Sequence, residues 1–105
     1  MSHVALVVVF QLEPGSREAM LPPLLAHRER CLSGEPGTLR FDVLVPSEEA
    51  STLILHELYQ DSQSLAAHNQ GSSLAQFRQE AGALIQSITR WQCTPAQEHC
   101  EPPRL

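Results

Sequence analysis

The run HVALVVVFQL, residues 3–12, decides how the rest of the chain is read. It is dense in β-branched side chains, which suit a pleated strand better than a helix. Successive side chains of a strand point to opposite faces. Val4, Leu6, Val8 and Phe10 therefore share one face, and Ala5, Val7 and Val9 the other. Both faces are apolar, so both need cover. A chain of 105 residues builds one core, and the helices it can form cover one side of a sheet. The second side is expected to meet the sheet of another copy of the chain. The run has no basic flank and no small-residue cleavage site, so it reads as a strand and not as a signal peptide.

Working outward, the stretch EPGS ends this strand, and Ser16 is an N-cap for a helix reaching about Ser33, with Gly34 as its stop. Pro22 and Pro23 predict a kink, or a restart at Pro22. Leu24, Leu25, Arg28 and the Cys31–Leu32 pair give its helical stripe. In EPGTLRFDVLVP, residues 35–46, Pro36 and Gly37 fit a type II turn. A strand over 38–45 follows, with Leu39, Phe41, Val43 and Val45 on one face and Thr38, Arg40 and Asp42 on the other. A hairpin leads to a third strand over 52–60. Asp61 caps a helix over 62–69 that breaks at Gly71. Ser73 and Gln76 have capping-box spacing for a second segment carrying Leu74, Phe77, Ala81 and Leu84. The last strand is IQSITRWQC, residues 85–93. The order βαββαβ predicts an α+β, ferredoxin-like fold with an antiparallel sheet and both helices on one face. The domain spans residues 1–93. The tail, 94–105, is expected to be a loop or an arm laid on a partner.

Composition narrows the function. The net charge is −5, and the seven basic residues are all arginine, with no basic patch. Nucleic acid and polybasic membrane attachment are not expected. No apolar run approaches the roughly 20 residues of a membrane span. The three cysteines, Cys31, Cys93 and Cys100, form no CxxC pair, which fits a reducing cytoplasm. Cys31 falls in a helical pattern and reads as core filler. The five histidines show neither HxxxH nor HExxH spacing, and there is no GxGxxG or phosphate loop. No metal and no cofactor is expected.

Polar groups inside apolar runs are the candidates for chemistry. His68 shares a helix face with Leu65, and is either a core-edge histidine or a group aimed into a site. On the third strand, Glu57 alternates with Leu55 and Tyr59, and His56 with Ile54 and Leu58. Either polar group is an exposed strand charge if its face is outward. If the Glu57 face is inward, a carboxylate and a phenol two residues apart can bind a phenolic or enolic hydroxyl. Trp91 is either core packing or a flat wall for an aromatic ligand.

EPGTLRFDVL, then LHELYQD, then AAHN with Phe77 nine residues beyond His68, resembles the antibiotic biosynthesis monooxygenase domain family over residues 3–93. The resemblance implies a dimeric α+β barrel and cofactor-independent oxygenation of a quinol or polycyclic phenol by dioxygen. It implies His68 as base or proton relay, Glu57 as its orienter or as the base, and Tyr59 as hydrogen-bond donor. Phe41 and Trp91 become substrate walls, with His56 as a further contact if its face is inward. Many relatives read A-H-x-x-S-P-H-F in the second helical region; here Ser73 stands for the second histidine and Leu74 for the phenylalanine. The asparagine, tryptophan and histidine set of the haem-degrading branch has no match. Two other outcomes fit the same residues: acid–base isomerisation of a small oxidised signal molecule, and a non-catalytic stress-response binding dimer. His68 is expected to reach Glu57 directly or through one water, or His56 if the other strand face is inward.

Overall fold

The computed structural model describes residues 2–99. Strand β1 (Val4–Leu12) leads to helix α1 (Arg17–Gly34) and the hairpin of β2 (Thr38–Leu44) and β3 (Thr52–Tyr59). Helices α2 (Ser62–Asn69) and α3 (Ser72–Ala81) follow, then a 3₁₀ turn (Gly82–Leu84), β4 (Ile85–Cys93) and a short α4 (Ala96–His99). The strands form one antiparallel sheet in the order β2-β3-β1-β4. This is the α+β ferredoxin-like arrangement, and it places β1, the most apolar strand, between two neighbours.

Register assigns every side chain to a layer. Leu6 lies opposite Glu57 and Gln92, and Glu57 opposite Phe41. The inner face of β1 and β3 packs with Met20, Leu24 and Cys31 of α1, Leu65 of α2 and Phe77 and Ala81 of α3 to make the core. On the outer face Asp42, His56, Val7 and Trp91 share a row. Trp91 is 53% exposed there, and Leu44, on the next row, 49%. No helix among the described residues is long and apolar enough to cross a membrane.

Several local expectations give way to packing. Helix α1 runs unbroken through Pro22 and Pro23. An interior proline costs about 3 kcal/mol, but the buried stripe Met20, Leu24, His27 and Cys31 spans the prolines and holds both sides to the sheet. The Glu35–Thr38 turn closes with the Thr38 amide donating to the Glu35 carbonyl at 3.0 Å. It is not type II: Gly15 alone among the glycines has positive φ. Gly37 is needed instead for close approach, since a Cβ there would lie 2.0 Å from Ser64 Oγ. The β2 register slips between Thr38 and Arg40. Leu39 is the extra residue, so Thr38 turns inward and is buried while Leu39 is exposed, the reverse of simple alternation. Val45 falls beyond the strand and is exposed. The N-cap of α3 is Gly71 without a side-chain cap, and Ser73 points into the protein. At the start of the tail, Glu98 of α4 accepts from the His3 amide at 2.6 Å and meets His3 Nδ1 at 2.7 Å. Residues 100–105, and with them half of the expected arm, lie outside the described residues.

Candidate active site

A cavity of about 320 Å³ lies between the helices and the inner face of the sheet. Leu6, Val8 and Leu55 form its apolar floor, while Glu57, His68 and His27 present polar groups to it. Phe41 and Phe77 supply aromatic wall, and Arg78 and Arg90 carry the charge on its remaining sides. Arg90 gets there by register, because it pairs with Val8 on the inner face of β4.

His68 is held by the local structure of two segments. Asp61 caps α2, accepting from the Ser64 amide and from Ser64 Oγ, each at 2.8 Å. The Gln60 amide donates to the Gly37 carbonyl at 2.8 Å, which ties the start of α2 to the Glu35–Thr38 turn. That turn brings Glu35 Oε1 to 2.9 Å from His68 Nδ1. Thr38 Oγ1 donates to the same carboxylate oxygen at 2.8 Å, which is the use of its inward side chain. Gly71 leaves room for the other oxygen: a Cβ there would stand 3.2 Å from Glu35 Oε2.

With Nδ1–H donating to Glu35, Nε2 of a neutral imidazole is free to accept. It faces Glu57 Oε1 across 3.9 Å. That is too long for a direct hydrogen bond, but one oxygen atom about 2.8 Å from each fits between them. Glu57 is itself fixed by Tyr59, whose hydroxyl donates to Glu57 Oε1. Burial raises the Glu57 pKa, opposed by the Tyr59 hydrogen bond and the charges of His68 and Arg90. Burial and the adjacent carboxylate push the Tyr59 phenol up, so it keeps its proton.

A second cluster adjoins His68. His27 stacks on Phe77, with ring centroids 5.2 Å apart, and meets Ser73 Oγ at 2.8 Å through Nδ1. Arg30 Nε donates to the same hydroxyl at 2.9 Å. Cys31 Sγ lies 3.6 Å from His27 Nδ1, 3.8 Å from His27 Nε2 and 3.6 Å from His68 Nδ1. The ligand atoms of His27, Cys31 and His68 all fall within 4.8 Å of one another, close enough to share a metal ion. Burial, with help from His68 and Arg30, pushes His27 down to about 4, leaving it neutral at pH 7. Burial and the Glu35 charge push the Cys31 thiol up to about 12.

Glu57, His68 and Phe41 thus stand together on the cavity. Tyr59 does not line it; the residue is fully buried behind Glu57 and spends its proton there, so it orients the carboxylate and does not reach a ligand. Trp91 and His56 are not walls either. They sit opposite Val7 on the outer sheet face, since strand alternation sends them away when Glu57 and Leu6 point in. The direct partner of His68 is Glu35, which reads in the sequence only as a turn residue. His27 and Ser73 were also not legible as site residues. The i, i+4 spacing of His27 and Cys31 was the available signal.

These features define a ferredoxin-like α+β protein with an acid–base cavity under its helices. The sequence profile of the antibiotic biosynthesis monooxygenase family matches residues 3–80, and the chain belongs to that family. Solved structures agree in fold. A candidate antibiotic biosynthesis monooxygenase from Nitrosomonas europaea superposes with a TM-score of 0.84 at 19% identity, over 90% of this chain and 91% of that one. PA3566 from Pseudomonas aeruginosa gives 0.82 at 21% identity, covering 90% and 95%. Rv0793 from Mycobacterium tuberculosis gives 0.79 at 23% identity, also covering 90% and 95%. No curated protein matches the sequence.

Proposed function

We propose that the protein is a homodimeric monooxygenase that uses dioxygen to oxidise a quinol or polycyclic phenol without an organic cofactor. The observation that carries this reading is the 3.9 Å gap between His68 Nε2 and Glu57 Oε1 on the cavity wall. A substrate hydroxyl oxygen fits that gap. Its proton passes to His68 Nε2, and Glu35 on Nδ1 stabilises the imidazolium that forms. The Arg90 guanidinium on the same cavity offsets the charge of the phenolate. The apolar floor keeps the anion dry, and the anion passes electrons to dioxygen. One oxygen atom enters the ring, the other leaves as water, and a quinol that ends as a hydroxyquinone supplies all the electrons. Glu57 in its acid form, which burial favours, donates to the hydroxyl oxygen, and Tyr59 orients Glu57.

The outer sheet face, where Val7 and Trp91 stand beside His56 and Asp42 and the exposed Leu44 lies on the next row, supports a dimer built sheet against sheet. Among the described residues Cys31 and Cys93 are free, which fits a reducing cytoplasm. The test is oxygen uptake with a panel of quinols and phenols. The parent protein should consume oxygen with at least one of them, and His68→Ala should lower turnover by about 100-fold or more while keeping its circular dichroism. Uptake that is the same in both proteins defeats the reading. Substrate proton exchange under argon with no uptake in air replaces it with the isomerase chemistry.

A further inference from the structure

We propose that His27, Cys31 and His68 form a transition-metal site in the cavity wall, suited to a borderline-soft divalent ion of the zinc class. The proposal does not depend on the oxygenation reading, because it concerns what these side chains bind and not what they turn over.

The argument begins with spacing. With zinc–sulfur and zinc–nitrogen bonds of about 2.3 and 2.05 Å, a tetrahedral site puts sulfur and nitrogen about 3.5 Å apart. Cys31 Sγ is 3.6 Å from His68 Nδ1 and 3.8 Å from His27 Nε2. Those separations need to close by only about 0.1 to 0.3 Å, and because Sγ stands nearly equidistant from His27 Nδ1 and Nε2, at 3.6 and 3.8 Å, the His27 ring must also turn to aim Nε2 at a shared ion. Two ligands four residues apart on α1 and a third from α2 approach from different elements, so the site is formed by the fold and not by one flexible loop.

The outer groups are also in place. A ligating histidine normally gives its other ring N–H to a fixed acceptor. If His27 binds through Nε2, its Nδ1–H meets Ser73 Oγ at 2.8 Å, and Arg30 fixes that hydroxyl from the far side at 2.9 Å. If His68 binds through Nδ1, its Nε2–H faces Glu57 Oε1. Glu35 Oε1, 2.9 Å from His68 Nδ1 and held by Thr38, is the nearest carboxylate for the fourth position. A divalent ion with one thiolate and one carboxylate is neutral overall, which lowers the cost of burying it. His27 and His68 both line the cavity, which gives an entry path. Hydrogen bonding alone leaves the cluster poorly used: a thiol 3.6 Å from two imidazoles is a weak donor. Binding would also hold a proton on His68 Nε2, so metal occupancy and the proton relay exclude each other.

The experiment is titration of the purified, metal-stripped full chain with cobalt(II), which reports thiolate ligation as a charge-transfer band, and with zinc(II) in competition. One equivalent should bind with the band. Cys31→Ser should abolish the band and weaken zinc binding by more than about 100-fold, and Ser73→Ala should weaken it by about 10- to 100-fold. Cys93→Ser and Cys100→Ser, which alter the other two thiols, should keep the band. No band in the folded parent protein overturns the proposal, and so does a band that survives Cys31→Ser. If Cys31→Ser does not fold, extended absorption fine structure on the zinc-loaded parent protein decides: one sulfur and two imidazole ligands support the site, and an all-oxygen shell overturns it.

Discussion

Replacing Gly37 with alanine should loosen the site and the fold together. A Cβ at this position would lie 2.0 Å from Ser64 Oγ and 2.3 Å from Ser64 Cβ. Rotating the Ser64 side chain relieves only the first contact, because its Cβ moves with the backbone of α2. Carbon atoms pack at about 3.5–4.0 Å, so α2 must withdraw by about 1.2 Å or more. His68 lies one helical turn beyond Ser64 on the same face, and the same withdrawal stretches its 2.9 Å contact with Glu35 out of hydrogen-bond range. Overpacking of this kind costs about 1–3 kcal/mol. For a domain of this size that lowers the melting temperature by roughly 5–20 °C. Thermal melts followed by circular dichroism measure it. Ser64→Gly removes the obstructing Cβ, so the Gly37→Ala/Ser64→Gly double variant should recover part of the loss. A single variant that melts with the parent protein, or a double variant less stable than the single one, would refute the steric account.

Three further outcomes follow from the geometry. Because burial raises the Glu57 pKa, the fold favours its protonated form, and stability falls as pH rises through the ordinary value of 4.5 toward the raised one. Glu57→Gln should therefore match the parent protein near pH 4 and exceed it at pH 8 in urea denaturation, while losing turnover; equal curves at both pH values would contradict this. Ser73→Ala leaves buried His27 Nδ1 and Arg30 Nε without their shared partner, and should cost about 1–3 kcal/mol by the same denaturation measurement. Trp91→Asp places a charge on the outer sheet face and, on the proposed sheet-to-sheet pairing, should shift the protein from dimer to monomer in sedimentation, whereas an unchanged sedimentation coefficient would defeat that pairing.

The fold was legible because its signals are periodic. The two apolar faces of β1, the Asp61 cap and the break at Gly71 each fix an element whatever the others do. The site was legible only where it shared that periodicity: Leu65 and His68 on one helix face, and Leu55, Glu57 and Tyr59 on one strand face. His27 escaped because the stripe of α1 can be read in two phases. Leu24, Leu25, Arg28 and Cys31 look as regular as Met20, Leu24, His27 and Cys31, yet only the second set is buried. Arg28 instead lies at the rim, its Nε donating to the Phe41 carbonyl at 2.7 Å. Glu35 and Ser73 owe their roles to contacts across 33 and 46 positions, which no local pattern encodes. The side of Trp91 depends on its pairing with Val7, and strand alternation alone does not supply that.

The extra residue at Leu39 gives the chain an unusual sensitivity to length. Upstream of it the odd-even count of β2 runs one way, with Thr38 inward to brace Glu35. Downstream it runs the other way, with Phe41 inward on the cavity. The turn and the strand are thus written in opposite parity, and Leu39 is where the count changes. Deleting that one exposed side chain removes almost no buried surface, yet it forces a choice. Keeping Phe41 in place points Thr38 outward and unhooks Glu35 from behind His68. Keeping Thr38 in place expels Phe41 from the cavity wall. By contrast, the loop at residues 45–51 joins the same two strands without setting the parity of either, so length changes there leave both halves in step.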